Sequence, residues 1–289
     1  MYDYLEQVDD GLLMRNAGKW AVEKLDYLQR YIDVFETSMR NKWSNRNYID
    51  LLAGPGKNLV KQTNQVLYGS PLLALLTKFP FTGYYFVDSD PSITKALQER
   101  CKASPLKKII QIKTGDCNVI VDQIVNELKQ NEEQSLNLAF LDPEGLELCW
   151  NTVAKLAGIR KMDLVINYPE GGLNRMMAKV YQAQSETKVD LFFGNWDWRE
   201  IYTDFKNQRM SGLHRELIDL YKTKLQVLGY NEIKLGDEAG GYEPLLRNTQ
   251  RNAPLFRLIF ASKSPLGEKF WDAITKHDVY GQKRLFDSL

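Results

Sequence analysis

The most informative part of the chain is Tyr48-Ile49-Asp50-Leu51-Leu52-Ala53-Gly54-Pro55-Gly56. A short apolar run, typical of a buried parallel strand, ends here in an acidic residue. Gly54 and Gly56 follow Asp50, and glycine tolerates positive φ and lets a ligand approach the backbone closely. Ligands of open α/β sheets bind outside the carboxyl ends of the strands. The stretch therefore predicts a strand followed by a ligand-binding loop; a strand-end turn without a ligand is the alternative.

The pattern of a strand that ends in a polar side chain recurs downstream. Strands are predicted over 84–87, 109–113, 138–141 and 163–166, with helical segments between them. This alternation predicts an α/β fold with a doubly wound, mostly parallel sheet of the Rossmann type. The polar residues at the ends of these strands are Asp88, Asp116, Asp142 and Asn167. Polar groups clustered at one sheet edge are costly without a partner, so we expect a ligand site there.

Two phosphate-binding motifs are excluded by the residues around the glycines. A triphosphate-binding loop needs glycine at position 51 and a hydroxyl at 58, and the chain has Leu51 and Asn58. The dinucleotide fingerprint needs a third small residue where Leu59 stands.

Composition indicates a soluble globular protein. The chain has 289 residues, 44% of them hydrophobic and 26% charged, with a net charge of +1. Apolar runs are too short to cross a bilayer, and the N-terminus lacks the features of a signal peptide. The three cysteines, Cys101, Cys117 and Cys149, are scattered and suggest neither a disulfide scaffold nor a metal site. We expect a cytoplasmic protein without membrane contact or bound metal.

The domain organisation is predicted as one α/β domain with additions. Residues 5–41 have helical periodicity, so residues 1–47 are interpreted as a helical N-terminal appendage and 48–289 as the α/β domain. An aromatic-rich insertion lies near 185–230. Residues 255–261 predict a strand at the sheet edge, followed by a helix over 267–276, and 233–235 predicts a further short strand.

Two clusters combine basic and aromatic residues. Arg40, Lys42 and Arg46 surround Trp43, and Arg199 follows Trp196 and Trp198, with Arg209, His214 and Arg215 nearby. Such clusters can hold nucleic acid through phosphate contacts and base stacking. The alternatives are a solvated helix end for the first cluster and a subsidiary core for the second.

The acidic strand ends favour S-adenosylmethionine over a diphosphate ligand. Its sulfonium and amino groups are attracted by a carboxylate near the loop, whereas a diphosphate is repelled. In order, these residues resemble the motif series of class I methyltransferases. The segment 50–56 resembles the D-x-F-x-G-x-G variant of nucleic-acid methyltransferases, with Leu52 at the aromatic position. The cofactor-binding residues that this resemblance implies are Asp50, Ala53, Gly54, Gly56, Asp88, Ser89, Asp116 and Cys117.

A closer resemblance is to the three-Cys-motif partner protein family (TcmP), and it extends from about Trp20 to Trp271. It implies a methyltransferase-like fold and a partner protein that carries three cysteines; the cysteines of this chain are not that motif. The segments that carry the resemblance are Trp20 with Lys24 and Leu25, Asp50-Leu51-Leu52-Ala53-Gly54-Pro55-Gly56, Gly69-Ser70-Pro71-Leu72, Gly115-Asp116, Phe140-Leu141-Asp142-Pro143, Asn167-Tyr168-Pro169, Gly172-Leu173-Asn174-Arg175 and Phe260-Ala261-Ser262-Lys263.

The predicted catalytic residues are Asp142, Pro143 and Glu144. Amino-group methyltransferases of nucleic acids use [DN]-P-P-[YF], whose aromatic residue stacks on a flipped base. Here Glu144 and a glycine replace the second proline and the aromatic residue. Glu144 would then act as a general base, and Tyr168 or Trp196 would supply the stacking face. We expect an S-adenosylmethionine-dependent methyltransferase acting on RNA or single-stranded DNA. A protein acceptor, or a catalytically silent fold that serves as a binding subunit, are the alternatives.

Overall fold

The computed structural model describes residues 6–102, 104–236 and 243–277, and β-strands and α-helices alternate through most of these ranges. The strands are β1 (Glu6–Gln7), β2 (Arg15–Ala17), β3 (Asn45–Asp50), β4 (Lys57–Val60), β5 (Gln65–Tyr68), β6 (Gly83–Asp88), β7 (Ile110–Thr114), β8 (Ser135–Leu141), β9 (Met162–Tyr168), β10 (Leu245–Arg247) and β11 (Pro254–Ala261). The helices are α1 (Trp20–Met39), α2 (Ser70–Leu75), α3 (Pro91–Cys101), α4 (Cys117–Lys129), α5 (Trp150–Ala157), α6 (Glu170–Val180), α7 (Lys188–Phe193), α8 (Asp197–Lys206), α9 (Leu213–Val227) and α10 (Pro265–Thr275).

The central sheet has seven strands in the order β10-β11-β9-β8-β3-β6-β7. The five strands from β9 to β7 are mutually parallel, which confirms the mostly parallel sheet predicted from the sequence. Because β6 lies on one side of β3 and β8 on the other, the strand order reverses between β3 and β8. Ligands of open α/β sheets bind in the crevice at such a switch point.

Helices cover both faces of this sheet, as a doubly wound fold requires. On one face, Ile49, Leu164 and Ile166 pack against side chains of α4 to α9. On the other face, Tyr48 and Phe140 pack against α1, α2, α3 and α10. Alternate residues of each strand thus pack into two separate cores, one on each face of the sheet. In the described part of the chain, no helix is both long and apolar enough to cross a membrane.

The prediction of a continuous helix over 5–41 is wrong for residues 6–17. These residues supply β1 and β2 to a small sheet of order β1-β5-β4-β2, in which β4 and β5 form a hairpin just after the glycine loop. The helix α1 begins only at Trp20. Pairing with a distant hairpin overrides the local helical pattern, and residues 1–5 lie outside the described ranges.

Several further expectations need correction. The central sheet already begins at Asn45, inside the predicted appendage. Residues 233–235 form no strand. The strand β11 does not lie at the sheet edge, because β10 pairs with its outer side and takes that place. In the insertion near 185–230, Phe192, Phe193 and Trp198 are fully buried as the core interpretation predicts, but they join the core on one face of the central sheet instead of forming a subsidiary one.

The N-terminal segment is held against the glycine loop by Arg100 and by Lys57, which both pair with Asp10. Arg100, whose side chain is only 4% exposed, donates to both carboxylate oxygens of Asp10 at 2.7 and 2.9 Å. Its guanidinium also donates to the backbone carbonyls of Leu12, Leu13 and Pro55. This pairing keeps the pKa of Asp10 well below its usual range, mainly through the hydrogen bond from Arg100. One side chain thus joins residues 10–13 to the loop at Pro55.

We predict that Arg100→Ala lowers the free energy of unfolding by about 2–3 kcal/mol, since it removes the donor of three backbone carbonyls and leaves Asp10 with Lys57 as its remaining cationic partner. Urea denaturation followed by circular dichroism measures the change. The matched control is Arg160→Ala, because Arg160 is 60% exposed and pairs with an exposed glutamate. The control should stay within about 0.5 kcal/mol of the unsubstituted protein. Equal effects of the two substitutions would contradict the proposed anchoring.

Candidate functional site

A cavity of about 290 Å³ lies at the carboxyl edge of the sheet, at the switch point between β3 and β8. Its floor is the glycine loop, one wall is the start of α1, and the opposite wall is the segment that follows β8. The lining residues are Arg15, Asn16, Ala17, Trp20, Ala21, Lys24, Leu25, Leu52, Ala53, Gly54, Gly56, Asn58, Gly69, Ser70, Asp142, Pro143, Glu144 and Phe256.

The glycine loop has the backbone conformation that its sequence predicts. Gly54 and Gly56 have φ of 68° and 90°, values that other residues rarely adopt. A Cβ on Gly56 would lie 3.0 Å from Leu97 Cδ1, and Gly69 N donates to Gly56 O at 2.6 Å. Positive φ therefore favours glycine at both positions, and the tight fit against Leu97 adds to this preference at position 56. Asp88 Oδ2 accepts a hydrogen bond from Gly54 N at 3.1 Å and holds the loop to the end of β6.

Asp50 lies directly beneath the cavity and is fully buried. Its carboxylate accepts hydrogen bonds from Ser70 Oγ at 2.6 Å and from Leu52 N at 3.3 Å. Ser70 lines the cavity and connects Asp50 to it. The helix α2 is not capped by this serine, because Gly69 is its N-cap and the Ser70 hydroxyl is directed to Asp50 instead. Burial raises the pKa of Asp50 to about 7.

Asp142 projects into the cavity from the end of β8. It forms an ion pair with Lys24 of α1 and accepts a hydrogen bond from Asn167 Nδ2 at 2.7 Å. The Lys24 ammonium also lies over the ring of Trp20, 4.9 Å from its centroid. Pro143 is buried beside Asp142, whereas the side chain of Glu144 is 64% exposed at the mouth of the cavity.

Arg15 closes the side of the cavity that faces β6. Its guanidinium lies 3.1 Å from Asp88 Oδ2 and 3.1 Å from Glu144 Oε1, so that it bridges the ends of two strands. Asp88 is otherwise occupied by Gly54 N and by Asp90 N, the latter at 3.1 Å. The cavity ends at Arg15, and Asp88 lies behind it.

The sequence-predicted site residues divide into two groups. The residues that line the cavity are Ala53, Gly54, Gly56, Asp142, Pro143 and Glu144, with Asp50 and Asp88 in contact with its walls. Ser89 and Asp116 are exposed and outside it; Asp116 caps α4 by accepting from Asn118 N at 2.8 Å. Cys117 packs in the core, where burial raises the pKa of its thiol to about 12. These three residues are therefore not part of the cavity.

Neither Tyr168 nor Trp196 provides a stacking face for the cavity. Tyr168 is fully buried in the core on one face of the sheet. Trp196 does not line the cavity, and the guanidinium of Arg199 lies over its ring, 4.2 Å from the centroid. Phe256 and Trp20 line the cavity instead, with ring centroids 4.8 Å apart.

Sequence reasoning missed the two cations of the site as functional residues. Lys24 lies one helical turn after Trp20, so their i, i+4 spacing is a detectable signal. Arg15 has no such signal, because its position depends on the pairing of β2 with β4. Within residues 6–102, 104–236 and 243–277, no group of three or more His, Cys, Asp or Glu side chains is placed to hold a metal ion.

Comparisons with known proteins add little to this geometry. No family model and no curated protein matches the chain. Among solved structures, the chain is similar to protein LPL1258 from Legionella pneumophila str. Philadelphia 1, assigned to the family model DUF519. The two are 15% identical over 58% of this chain and 76% of the other, with a TM-score of 0.40. So distant a likeness says nothing about function, and the resemblance to the three-Cys-motif partner proteins stays a prediction.

We predict that Asp50 makes the protein less stable as the pH rises. In the unfolded chain an aspartate titrates near pH 3.9, about three units below the value near 7 that burial produces in the fold. Between these values only the folded protein holds the proton, so the free energy of unfolding falls from about pH 4 to about pH 7 and then levels off.

The substitution Asp50→Asn removes this dependence and keeps the shape of the side chain. Relative to the unsubstituted protein, the variant should gain a few kcal/mol between about pH 5 and pH 8. Urea denaturation of both proteins across this range measures the gain. Other buried carboxyl groups are common to both and cancel in the difference. Parallel stability curves would show that Asp50 stays ionised in the fold.

Proposed function

We propose that the protein is an S-adenosylmethionine-dependent methyltransferase. The observation that carries this proposal is the joint lining of one cavity by the glycine loop and by Asp142-Pro143-Glu144. These segments come from the two strands that flank the switch point, where doubly wound sheets bind their ligands.

The charges around the cavity suit a zwitterionic sulfonium ligand. Lys24 presents a cation that would pair with the carboxylate of the methionine moiety. Asp142 supplies negative potential that favours an amino group and a sulfonium and disfavours a diphosphate, and the more deeply placed Asp50 adds to this potential where it ionises, near pH 7 and above. A ribose would lie toward Asp88, which is placed at the end of the next strand to accept bonds from its hydroxyls.

The strand order of the central sheet also supports a methyltransferase. Its five parallel strands follow the 3-2-1-4-5 order of a doubly wound nucleotide-binding sheet. The class I methyltransferases that the sequence resembles are built on a sheet of this type.

The residues at the mouth of the cavity suggest how the chain would assist the transfer. Bound S-adenosylmethionine supplies an electrophilic methyl group, and S-adenosylhomocysteine is the product. Asp142, oriented by Asn167, would accept a hydrogen bond from the acceptor group. Glu144 would take the proton of the acceptor and release it to water, since its carboxylate is 64% exposed. Phe256 and Trp20 would provide apolar surface for a planar acceptor.

We predict that the protein binds S-adenosylhomocysteine and that Asp88→Ala weakens this binding by about 1.5–3 kcal/mol, the cost of losing hydrogen bonds to a charged group. Isothermal titration calorimetry gives both affinities, and thermal unfolding verifies that the variant is folded. The control is Asp122→Ala, because Asp122 is 57% exposed and pairs with Lys155 on the surface. No binding to the unsubstituted, folded protein at millimolar ligand would overturn the proposed function.

We further propose that the acceptor is RNA or single-stranded DNA. Three arginines gather near the hairpin of β10 and β11, which carries Phe256 into the cavity. Arg247 pairs with Pro254 across the hairpin, and Arg251 lies in its turn. Arg175 lies beside the same proline, since both groups approach Gly171 within 3.6 Å of its Cβ position. Arg175 and Arg251 are exposed, as phosphate-binding side chains must be.

Other arginines in the predicted clusters have structural partners. Arg46 is buried in an ion pair with Glu36 at 2.8 Å, and Arg199 pairs with Asp190 at 2.6 Å. Arg40 lies over the ring of Phe79, and Arg209 pairs with Asp204. The nucleic-acid proposal therefore depends on the arginines beside the hairpin and not on the clusters around Trp43 and Trp198.

We predict that the double substitution Arg175→Ala and Arg251→Ala weakens binding to a short RNA or single-stranded DNA. The dependence of log K on log salt concentration should become shallower by about 0.7 for each phosphate contact that is lost. Fluorescence anisotropy at several salt concentrations measures this slope. Arg160→Ala is the control, because Arg160 precedes β9 and so lies at the amino ends of the parallel strands, whereas the cavity lies at their carboxyl ends. An unchanged slope would contradict a phosphate-binding role for the hairpin arginines.

The acceptor class is tested directly by offering radiolabelled S-adenosylmethionine together with total RNA, denatured DNA or cell protein. We expect label in a nucleic acid, and its loss in Asp142→Ala. Label in protein alone would contradict the nucleic-acid acceptor and favour a protein substrate.

A second candidate function is a catalytically silent binding subunit for a three-Cys-motif partner protein. The observation that favours it is the pairing of Asp88, Glu144 and Asp142 with Arg15 and Lys24. In this arrangement no carboxylate at the mouth is left without a cation. Methyl transfer that depends on Asp142, to any acceptor, would rule this candidate out.

A further inference from the structure

The position of Arg15 has a consequence for the way in which the cavity is filled. Its guanidinium contacts Asp88 and Glu144, the residue proposed to bind ribose and the residue proposed to act as base. The cavity of about 290 Å³ ends at this side chain. It is therefore large enough for the methionine half of the cofactor but is closed toward Asp88, where the nucleoside half belongs.

We propose that Arg15 is a positioning residue that occupies the ribose position at Asp88 and holds Glu144 until the nucleoside half of the ligand displaces it. The inference rests on the proposed function, because it concerns the order of events in the same site. Displacement of one side chain would open the path to Asp88 and release the carboxylate of Glu144 toward the acceptor. Cofactor binding and the availability of the base would thus be coupled.

The geometry makes such a displacement a local event. Arg15 is anchored through its backbone, since β2 pairs with β4 and places Arg15 opposite Asn58. The rest of the N-terminal segment is held by Arg100 and Asp10. The Arg15 side chain, by contrast, is 23% exposed, and its guanidinium contacts a glutamate whose side chain is 64% exposed. Only the Arg15 side chain needs to rotate away while β2 stays paired.

The competition has a measurable electrostatic signature. Salt screens the exposed ion pair between Arg15 and Glu144 and so weakens the interactions that hold Arg15 in the ribose position. S-adenosylhomocysteine has no net charge at neutral pH, so its own contacts should respond less to salt. Affinity for this ligand should therefore rise with salt in the unsubstituted protein, opposite to the behaviour of a site that binds a charged ligand.

The test is calorimetric titration of S-adenosylhomocysteine into the unsubstituted protein, Arg15→Gln, Arg15→Lys and Glu144→Gln, at about 50 and 500 mM NaCl. We expect Arg15→Gln to bind about three- to tenfold more tightly at low salt and to lose the salt dependence, because the competing charge is gone. Arg15→Lys keeps the charge and should behave like the unsubstituted protein. Arg160→Gln is the matched control for loss of an exposed arginine.

The pairing with Glu144 adds an internal test. Glu144→Gln should also raise the affinity, and Arg15→Gln combined with Glu144→Gln should equal Arg15→Gln alone, because both remove the same bridge. Thermal unfolding of each variant separates these effects from a loss of folding.

The outcomes distinguish this inference from the proposed function. If the unsubstituted protein binds S-adenosylhomocysteine and Arg15→Gln binds it with equal or lower affinity, the role of Arg15 is overturned. The methyltransferase proposal is left intact by that result. Binding only by Arg15→Gln supports both. Absence of binding by every folded variant at millimolar ligand overturns both.

Discussion

The site of this protein depends on one electrostatic constraint. Several carboxylates lie together at the carboxyl ends of parallel strands, and none of them can be left as an uncompensated buried charge. Asp50, Asp88 and Asp142 end neighbouring strands, so the parallel topology forces them together. Each is compensated differently. Asp50 is fully buried, accepts two hydrogen bonds and has its pKa raised to about 7. Asp88 accepts from backbone N–H groups and Arg15, and Asp142 pairs with Lys24 and Asn167.

The cations of this arrangement come from the chain that precedes the sheet. Arg15 belongs to β2 and Lys24 to α1, so residues 15–24 complete the electrostatics of the cavity. Removing one partner from such a pair leaves the other as an uncompensated charge, which costs more than the pair itself contributes. The N-terminal segment is therefore part of the site. The small sheet and the contacts of Arg100 serve to hold it there.

Local patterns account for the part of the structure that was predictable. Each parallel strand is an apolar run with a polar end, and the glycines at 54 and 56 adopt the positive φ that their spacing suggests. Because parallel strands end at one edge, the convergence of Asp50, Asp88 and Asp142 follows from topology. Asp116 also follows a strand, but its carboxylate is used as a helix cap, a role that the sequence leaves equally open.

Non-local pairing accounts for the part that was not predictable. Residues 6–17 look helical by periodicity, but they pair with a hairpin more than forty residues away in the chain. Arg15 reaches Asp88 only through that pairing. The place of β11 inside the sheet likewise depends on non-local pairing, because the three-residue strand β10, which the sequence did not predict, pairs with its outer side. No local spacing in the sequence indicates that such residues lie together in the fold.

The insertion of β11 between β9 and β10 also explains how the aromatic side of the cavity is formed. Because β11 runs antiparallel to β9, it begins at the edge where β9 ends, and Phe256 near its start reaches the cavity. There it contacts Trp20 from α1, with ring centroids 4.8 Å apart. The five parallel strands supply the loop and the carboxylates, but they leave the mouth open. One aromatic wall comes from the segment before the sheet and the other from its last strand, so both additions to the doubly wound core are needed to form the cavity.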